Sequence, residues 1–410
     1  MTVVKMNRDA SGKGYTAKRN REAEESDKEY ERELSRHRVR RARIIVAVVA
    51  VVLIAAIVVS LATHKTTYDS YKVESSVRRT DAGAAQYIEI GGNLFRCSRD
   101  GVAAYSAEGE ALWNSTYEVG NMSIVTGGSY FAIADLNGND IYLFHATEGD
   151  LGSINSSDPI LQVEVSAAGY IAVVVEDDGA DYIHLYNMEG KHEKMYTIKK
   201  SINIDGLPLA IAVSPDGEKL VCAYTGVTGG TIDTNVVFSN FDEVGQNESE
   251  RVVGGFDYGE ELIGKITYLD DTHVAVVGEE SLDFYRFKEY PEQVKELELE
   301  YRIGEVFTGG GHIGLTHQEE ETGETVIEIY NTSGSQILTY TPGNDELTTY
   351  LVTGEQLILY GENCCRIVNL SGTVIYEGTF EDGIVAFYPL ESDREYLYMN
   401  STYIQKIRLE

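Results

Sequence analysis

From residue 87 onward, one short pattern recurs eight times and leaves this chain few folds to choose from: an apolar run, a tight turn, and a second apolar run. The clearest copy is IAVSPDGEKLVCAY at 211–224. Here Ser214-Pro215-Asp216-Gly217 offers a fixed φ at proline and a freely positive φ at glycine, between two runs with strand character. The same layout is read at YIEIGGNLFRCS (87–98), SIVTGGSYFAIAD (123–135), VEVSAAGYIAVVVE (163–176), KITYLDDTHVAVVG (265–278), EVFTGGGHIGLTH (305–317), TYLVTGEQLILYG (349–361) and VAFYPLESDREYLYM (385–399). The middles of the second runs fall at Phe95, Ala132, Ala172, Val221, Ala275, Gly314, Ile358 and Leu397, spaced 37, 40, 49, 54, 39, 44 and 39 residues apart. Those spacings bracket the ~40–50 residues of a four-stranded propeller blade. The pattern predicts an all-β fold, a β-propeller over residues 81–410.

A second signature follows the third strand of several units. It reads YSAEG (105–109), FHATEG (144–149), YNMEG (186–190), YNTSG (330–334) and VNLSG (368–372). Asparagine and glycine tolerate the left-handed backbone that such hairpins require. The last unit reaches Glu410 with no room for a fourth strand. Residues 66–75, in which Tyr71 and Val73 alternate with polar residues, are placed to supply it and join the two ends of the ring. That closure favours eight blades, with seven as the alternative.

Ahead of the repeats lies an uncharged stretch whose ends are Ile44 and Ala62. As a helix its 19 residues rise about 28 Å, close to the ~30 Å hydrocarbon core of a bilayer. Arg36, Arg38, Arg40, Arg41 and Arg43 precede it and hold that side in the cytoplasm. A cleaved signal peptide is the rival, because Ser60-Leu61-Ala62 resembles a cleavage site. The long basic segment and the length of the apolar run favour an uncleaved anchor. The expected organisation is therefore a basic tail at 1–43, partly disordered or helical, a membrane helix at 44–62, a linker with the ring-closing strand at 63–80, and an extracytoplasmic propeller.

Charge divides at the apolar stretch. Residues 1–43 carry 13 Lys+Arg against 8 Asp+Glu, leaving 21 basic and 58 acidic residues beyond, a balance of −37. Such a domain repels nucleic acid and anionic polymers and favours cationic or neutral partners. Cys97, Cys222, Cys364 and Cys365 are too few and too scattered for a disulfide framework and lack the spacing of a metal site.

The SPDG turn, the strand-then-NxxG hairpins and the blade length resemble WD-repeat-like and quinoprotein-repeat-like propellers. The combination of a short basic tail, one membrane helix and an acidic, tyrosine-rich propeller resembles a family of single-pass envelope proteins of Gram-positive, clostridial-type bacteria, for which no activity is known. Quinoprotein dehydrogenases set their cofactor over adjacent cysteines, which Cys364-Cys365 echoes, and YSAEGEALW (105–113) echoes their repeat ending. This chain has only Trp113 where those enzymes use many tryptophans. Adjacent strand residues also point to opposite faces, so Cys364 and Cys365 read as packing residues.

No catalytic, cofactor or metal set emerges. DLNGND (135–140) and EDDGAD (176–181) are acidic but miss the calcium-loop register, and both read as turns between second and third strands. His184, His273, His312 and His317 have no zinc spacing. The Gly309-Gly310-Gly311 run is a blade turn without the helix that phosphate binding needs. The tyrosines read mainly as packing between blades. Two longer segments, 225–234 and 240–262, interrupt the regular blade length and are candidate binding loops. The expected function is a membrane-anchored binding or scaffold module recognising an envelope protein, peptide or wall component. A sensor ectodomain signalling through the helix and a quinone-dependent oxidoreductase are the alternatives.

Overall fold

In the computed structural model of the chain, the described residues are 67–79 and 85–410, apart from 178–179, 191, 193, 202–204, 345 and 391, together with Val46, Val49 and Leu53. The apolar stretch, except for those three helical positions, and the five arginines before it lie outside the described residues. Among the described residues no helix is long and apolar enough to cross a membrane. Thr67–Glu410 forms one compact unit.

Among the described residues, thirty-two strands make eight four-stranded antiparallel sheets. Blades 1 to 7 open with the strands Gln86–Ile90, Met122–Gly127, Ile160–Val165, Leu207–Val213, Ile263–Tyr268, Ile303–Gly309 and Thr349–Val352, and each is completed in chain order. Blade 8 takes Ala386–Pro389, Glu395–Met399 and Tyr403–Leu409 from the end of the chain and its outermost strand, Tyr71–Arg78, from the beginning. The ring-closing strand thus lies a few residues further on than 66–75. It pairs from Tyr71↔Leu409 to Arg78↔Tyr403, with a bulge that sets Glu74 out of register.

First strands lie innermost, and those of blades 2 and 3, 3 and 4, 4 and 5, and 6 and 7 contact one another. Second strands are buried on both faces, as in Tyr130–Asp135, because each is sandwiched between two other blades. Fourth strands such as Pro291–Glu298 form the exposed periphery. The buried apolar residues divide into eight clusters, each drawn from two adjacent blades. One joins blades 1 and 2 through Phe95 and Phe131, and the last joins blades 8 and 1 through Leu397 and Leu94. A core at every interface, with none left over, is what closes the ring.

The turn chemistry behaves as read. In the five hairpins Gly109, Gly149, Gly190, Gly334 and Gly372 all have positive φ. Asn331 Oδ1 accepts hydrogen bonds from the Ser333 and Ser335 amides, and Asn369 Oδ1 does the same for Ser371 and Thr373. In the SPDG turn Gly217 sits at φ 75°, and a Cβ there would stand 2.1 Å from the Tyr170 ring of blade 3. Glycine is required by both the turn and the neighbouring blade.

Candidate functional site

Blade 4 departs from its neighbours. Its second and third strands, Lys219–Thr228 and Thr231–Asn240, are ten residues each and remain paired out to Thr228↔Thr231. Segment 225–234, read from sequence as a loop, is therefore the projecting tip of a β-hairpin. Its alternation of β-branched residues and the two-residue turn at Gly229 and Gly230, both at positive φ, explain why. Segment 240–262 is likewise only partly irregular. It holds two single 3₁₀ turns, Gly245–Asn247 and Ser249–Arg251, followed by the fourth strand of the blade, Val252–Gly259.

Register fixes which way the tip faces. Ala223, Thr225 and Val227 lie on one face of their strand, and Val227 pairs with Ile232. Ala223 packs in the core shared with blade 5, so Val227 and Ile232 lie on the blade 5 face of the hairpin. Val227 is 74% exposed and Ile232 39%; Leu207 and Leu209 at the start of the blade are 43% and 40% exposed.

On that side lies a cavity of about 600 Å³ between blades 4, 5 and 6. Leu209, Leu262, Ile263, Val277, Ile303 and Val306 make its apolar wall, while Lys265, Glu279 and Arg302 supply charge. Lys265 interacts with Glu164 on the first strand of blade 3. Burial pushes the Glu164 carboxyl up to about 7 against the pull of Lys265, and lowers the Lys265 ammonium. An apolar recess with a few charged groups is the ordinary make-up of a ligand or peptide site.

Leu262 lines this cavity, and its neighbour Glu261 lines a second recess, of about 310 Å³, between the outer strands of blades 4 and 5. Its lining includes Phe256, Tyr258, Glu261, Ser281, Asp283 and Glu296. Tyr258 Oη donates to Asp283 Oδ2 at 2.6 Å, and the Tyr258 and Tyr285 hydroxyls stand 2.8 Å apart. Asp283 is 3% exposed, and burial pushes its carboxyl from 3.8 up to about 6, with Glu296 and Glu261 adding to the rise against the Tyr258 bond.

That shift makes a stability prediction. Because its folded pKa is raised, Asp283 opposes folding increasingly as pH climbs from about 4 to about 6, and the full penalty is present at neutrality. Asp283→Asn keeps an acceptor for Tyr258 and removes the charge. It is expected to raise stability at pH 7 by about 1–2 kcal/mol, less than the full shift implies because the recess opens to water. The gain disappears near pH 3.5. Urea unfolding midpoints at the two pH values measure it, and an equal effect at both would rule out the charge as its source.

The other residues singled out from sequence take structural places. Cys364 and Cys365 open the strand Cys364–Asn369, are free thiols, and bury into different interface cores, Cys364 toward blade 6 and Cys365 toward blade 8. They do not form the paired platform of a quinoprotein site. DLNGND turns between Tyr130–Asp135 and Asp140–His145, with Asp135 Oδ1 accepting from the Gly120 and Asn121 amides. EDDGAD spans the corresponding turn of blade 3, whose residues 178–179 lie outside the described set. His184 is held neutral, pushed down to about 4 by burial and then by Lys194. Among the described residues no three His, Cys, Asp or Glu side chains are grouped to hold a metal ion.

A family model described as a family of unknown function (DUF5711) matches residues 63–409. Among solved structures, the chain is similar to Sqt1 of Saccharomyces cerevisiae at 10% identity, over 83% of this chain and 98% of that one, with a TM-score of 0.52. It is also similar to Sqt1 of Chaetomium thermophilum bound to the N-terminus of ribosomal protein L10, at 11% identity, 78% and 94% coverage and TM-score 0.49. The Cps50 (Swd1) β-propeller domain of Myceliophteria thermophila matches at 10% identity, 74% and 99% coverage and TM-score 0.44. At these identities the likeness shows the WD-repeat-like fold and nothing of function. No curated protein matches the chain.

Proposed function

The chain belongs to the DUF5711 family of unknown function, and we propose that its propeller is a recognition module that binds a segment of an envelope protein without turning it over. The observations that carry this reading are the apolar cavity between blades 4, 5 and 6 and the solvent-exposed apolar tip at Val227 and Ile232 of the same blade 4. An extended segment of neutral or basic character suits both: apolar side chains for the cavity wall, and a charge opposite to the −37 of the region beyond residue 43. In this reading the uncharged stretch 44–62 anchors the module, with the arginines before it inside and the propeller outside the cell. Anchoring confines the search for a partner to two dimensions and raises local concentration.

The test is crosslinking in intact cells, with isolation through a C-terminal tag and mapping of the crosslinked peptides. Shortening the hairpin by joining Thr225 to Thr234, which face each other across it, through an Asn-Gly turn is expected to reduce partner capture by about tenfold or more. Fold stability should stay within about 0.5 kcal/mol. Antibody should reach the tag on unpermeabilised cells. Capture unchanged by the shortening, with crosslinks mapping elsewhere, overturns the binding reading. A tag reached only after permeabilisation overturns the topology.

A further inference from the structure

The recess between the outer strands of blades 4 and 5 has an unusual polar balance. Asp283 Oδ1 and Ser281 Oγ are buried without a hydrogen-bond partner, on residues only 3% and 8% exposed, and both side chains line the recess. Asp257, Glu261 and Glu296 line it as well, and among the described residues its lining contains no lysine or arginine. Phe256, half-buried and packed on the buried Tyr285 with ring centroids 4.6 Å apart, supplies aromatic surface. Leaving a carboxylate oxygen and a hydroxyl unpaired in a buried place is expensive, and a charged donor relieves both at once.

We propose that this recess is a binding site for an organic cation, a primary ammonium or guanidinium carried on an aliphatic stem. The cationic head donates to Asp283 Oδ1 and Ser281 Oγ, with Asp257, Glu261 and Glu296 completing the field, while the stem lies along the Phe256 ring. The volume of about 310 Å³ fits a side-chain-sized group. A metal ion fits less well, since no three acidic groups among the described residues converge on one point. The shared chemistry comes from a free amine or from a lysine or arginine of a bound protein. The inference stands independently of the cavity between blades 4, 5 and 6, because the two linings share no residue.

The experiment uses the full-length protein in detergent micelles and saturation-transfer NMR with n-butylammonium and n-butylguanidinium. Both are expected to bind saturably in the millimolar range, at least about tenfold more tightly than n-butanol, the neutral analogue. Asp283→Asn and Glu296→Gln should each weaken binding by about tenfold or more, whereas Glu321→Gln, on an exposed turn of blade 6, should not. Acidification from about pH 7.5 to about pH 5 should weaken it as the Asp283 carboxylate, which shares the recess with Asp257, Tyr258, Glu261, Tyr285 and Glu296, takes up a proton. Acetyl-Ala-Lys-Ala-amide binding about tenfold more tightly than n-butylammonium supports a protein side chain as the natural ligand; equal affinity supports a free amine. The proposal is overturned by absence of saturation, by equal affinity for n-butanol, or by insensitivity to both substitutions at the recess. It is equally overturned if calcium chloride binds saturably and Asp283→Asn abolishes that binding. Shortening the hairpin leaves n-butylammonium binding unchanged, so failure here and failure of the partner-binding reading are separate results.

Discussion

A chain that begins at residue 80 is expected not to fold to a stable monomer, whereas one that begins at residue 67 is. The difference is the strand Tyr71–Arg78 with the residues just ahead of it. Without them Tyr403–Leu409 becomes an unpaired outer edge, exposing a row of backbone donors and acceptors that invite association. Three anchors are lost at the same time. Tyr68, 7% exposed, leaves the core between blades 7 and 8, and its amide no longer donates to Ile375 O at 2.8 Å. Tyr71 leaves its stack on Phe380, 5.0 Å between ring centroids. Glu74 leaves Arg408 and Lys406, both of which also bind Glu395 on the next strand. Losing a buried tyrosine alone costs about 3–5 kcal/mol, comparable with much of the ~5–15 kcal/mol that holds a domain together. Thermal unfolding and size-exclusion chromatography of the two fragments make the comparison. A circular permutant supplies the control. Asp69 and Ser70 donate to Glu410 O and Glu410 donates back to Ser70 O, so joining 410 to 67 and opening the chain at 229–230 keeps the closure. That permutant should unfold cooperatively within a few degrees of the 67–410 fragment. An 80–410 fragment that did the same would show that the ring closes without its N-terminal strand.

Much of this architecture is legible in the sequence because blades repeat. All eight residues aligned from sequence, Phe95, Ala132, Ala172, Val221, Ala275, Gly314, Ile358 and Leu397, occupy the third position of the second strand of their blade. Second strands are buried on both faces, so each is a short apolar run bounded by turn residues, a signal that survives without long-range information. The count of eight follows once the missing fourth strand of the last unit is matched to the N-terminal side, as the pairing of Tyr71 with Leu409 bears out. The divergent positions of Cys364 and Cys365 follow from strand alternation alone.

The recesses are a different matter. Leu209, Leu262, Val277 and Ile303 come from three blades and meet only through the curvature of the ring, so no local pattern announces them. The projecting hairpin did leave a trace, since TGVTGGTIDT has strand-forming residues on both sides of a Gly-Gly turn. Its length made it look like an inserted loop, because ten-residue strands exceed what a blade needs. Asp283 also left one: it lies in the buried run of the third strand SLDFYRF, whose other charge, Arg286, is exposed, and a buried charge is out of place unless something pairs with it. Charge at a blade interface is the kind of local inconsistency that marks either a structural network or a site. Here the unpartnered Oδ1, on a side chain that lines a recess, is what motivates the proposed cation site.

The abundance of tyrosine, 28 residues against one tryptophan, has a structural reading that a second large effect tests. Tyr396, fully buried between blades 7 and 8, stacks on Phe387 at 5.2 Å, while its hydroxyl donates to Gln356 Oε1 at 2.7 Å on blade 7. Gln356, 6% exposed, donates in turn to Asp393 O at 3.0 Å, and the Tyr396 hydroxyl lies 3.1 Å from that same carbonyl. The ring fills the interface and the hydroxyl fixes blade 8 against blade 7. Tyr396→Ala is expected to cost about 3–5 kcal/mol through the cavity it leaves. Tyr396→Phe, which preserves the ring but strands a buried acceptor on Gln356, should cost about 1–3 kcal/mol. Adding Gln356→Leu to Tyr396→Phe should recover part of that loss, since removing both partners is cheaper than orphaning one. Urea midpoints at constant slope give all three values. If Tyr396→Phe is as stable as the parent, tyrosine serves these interfaces only as an aromatic filler. If it loses the expected amount, the hydroxyls act as polar pins between blades.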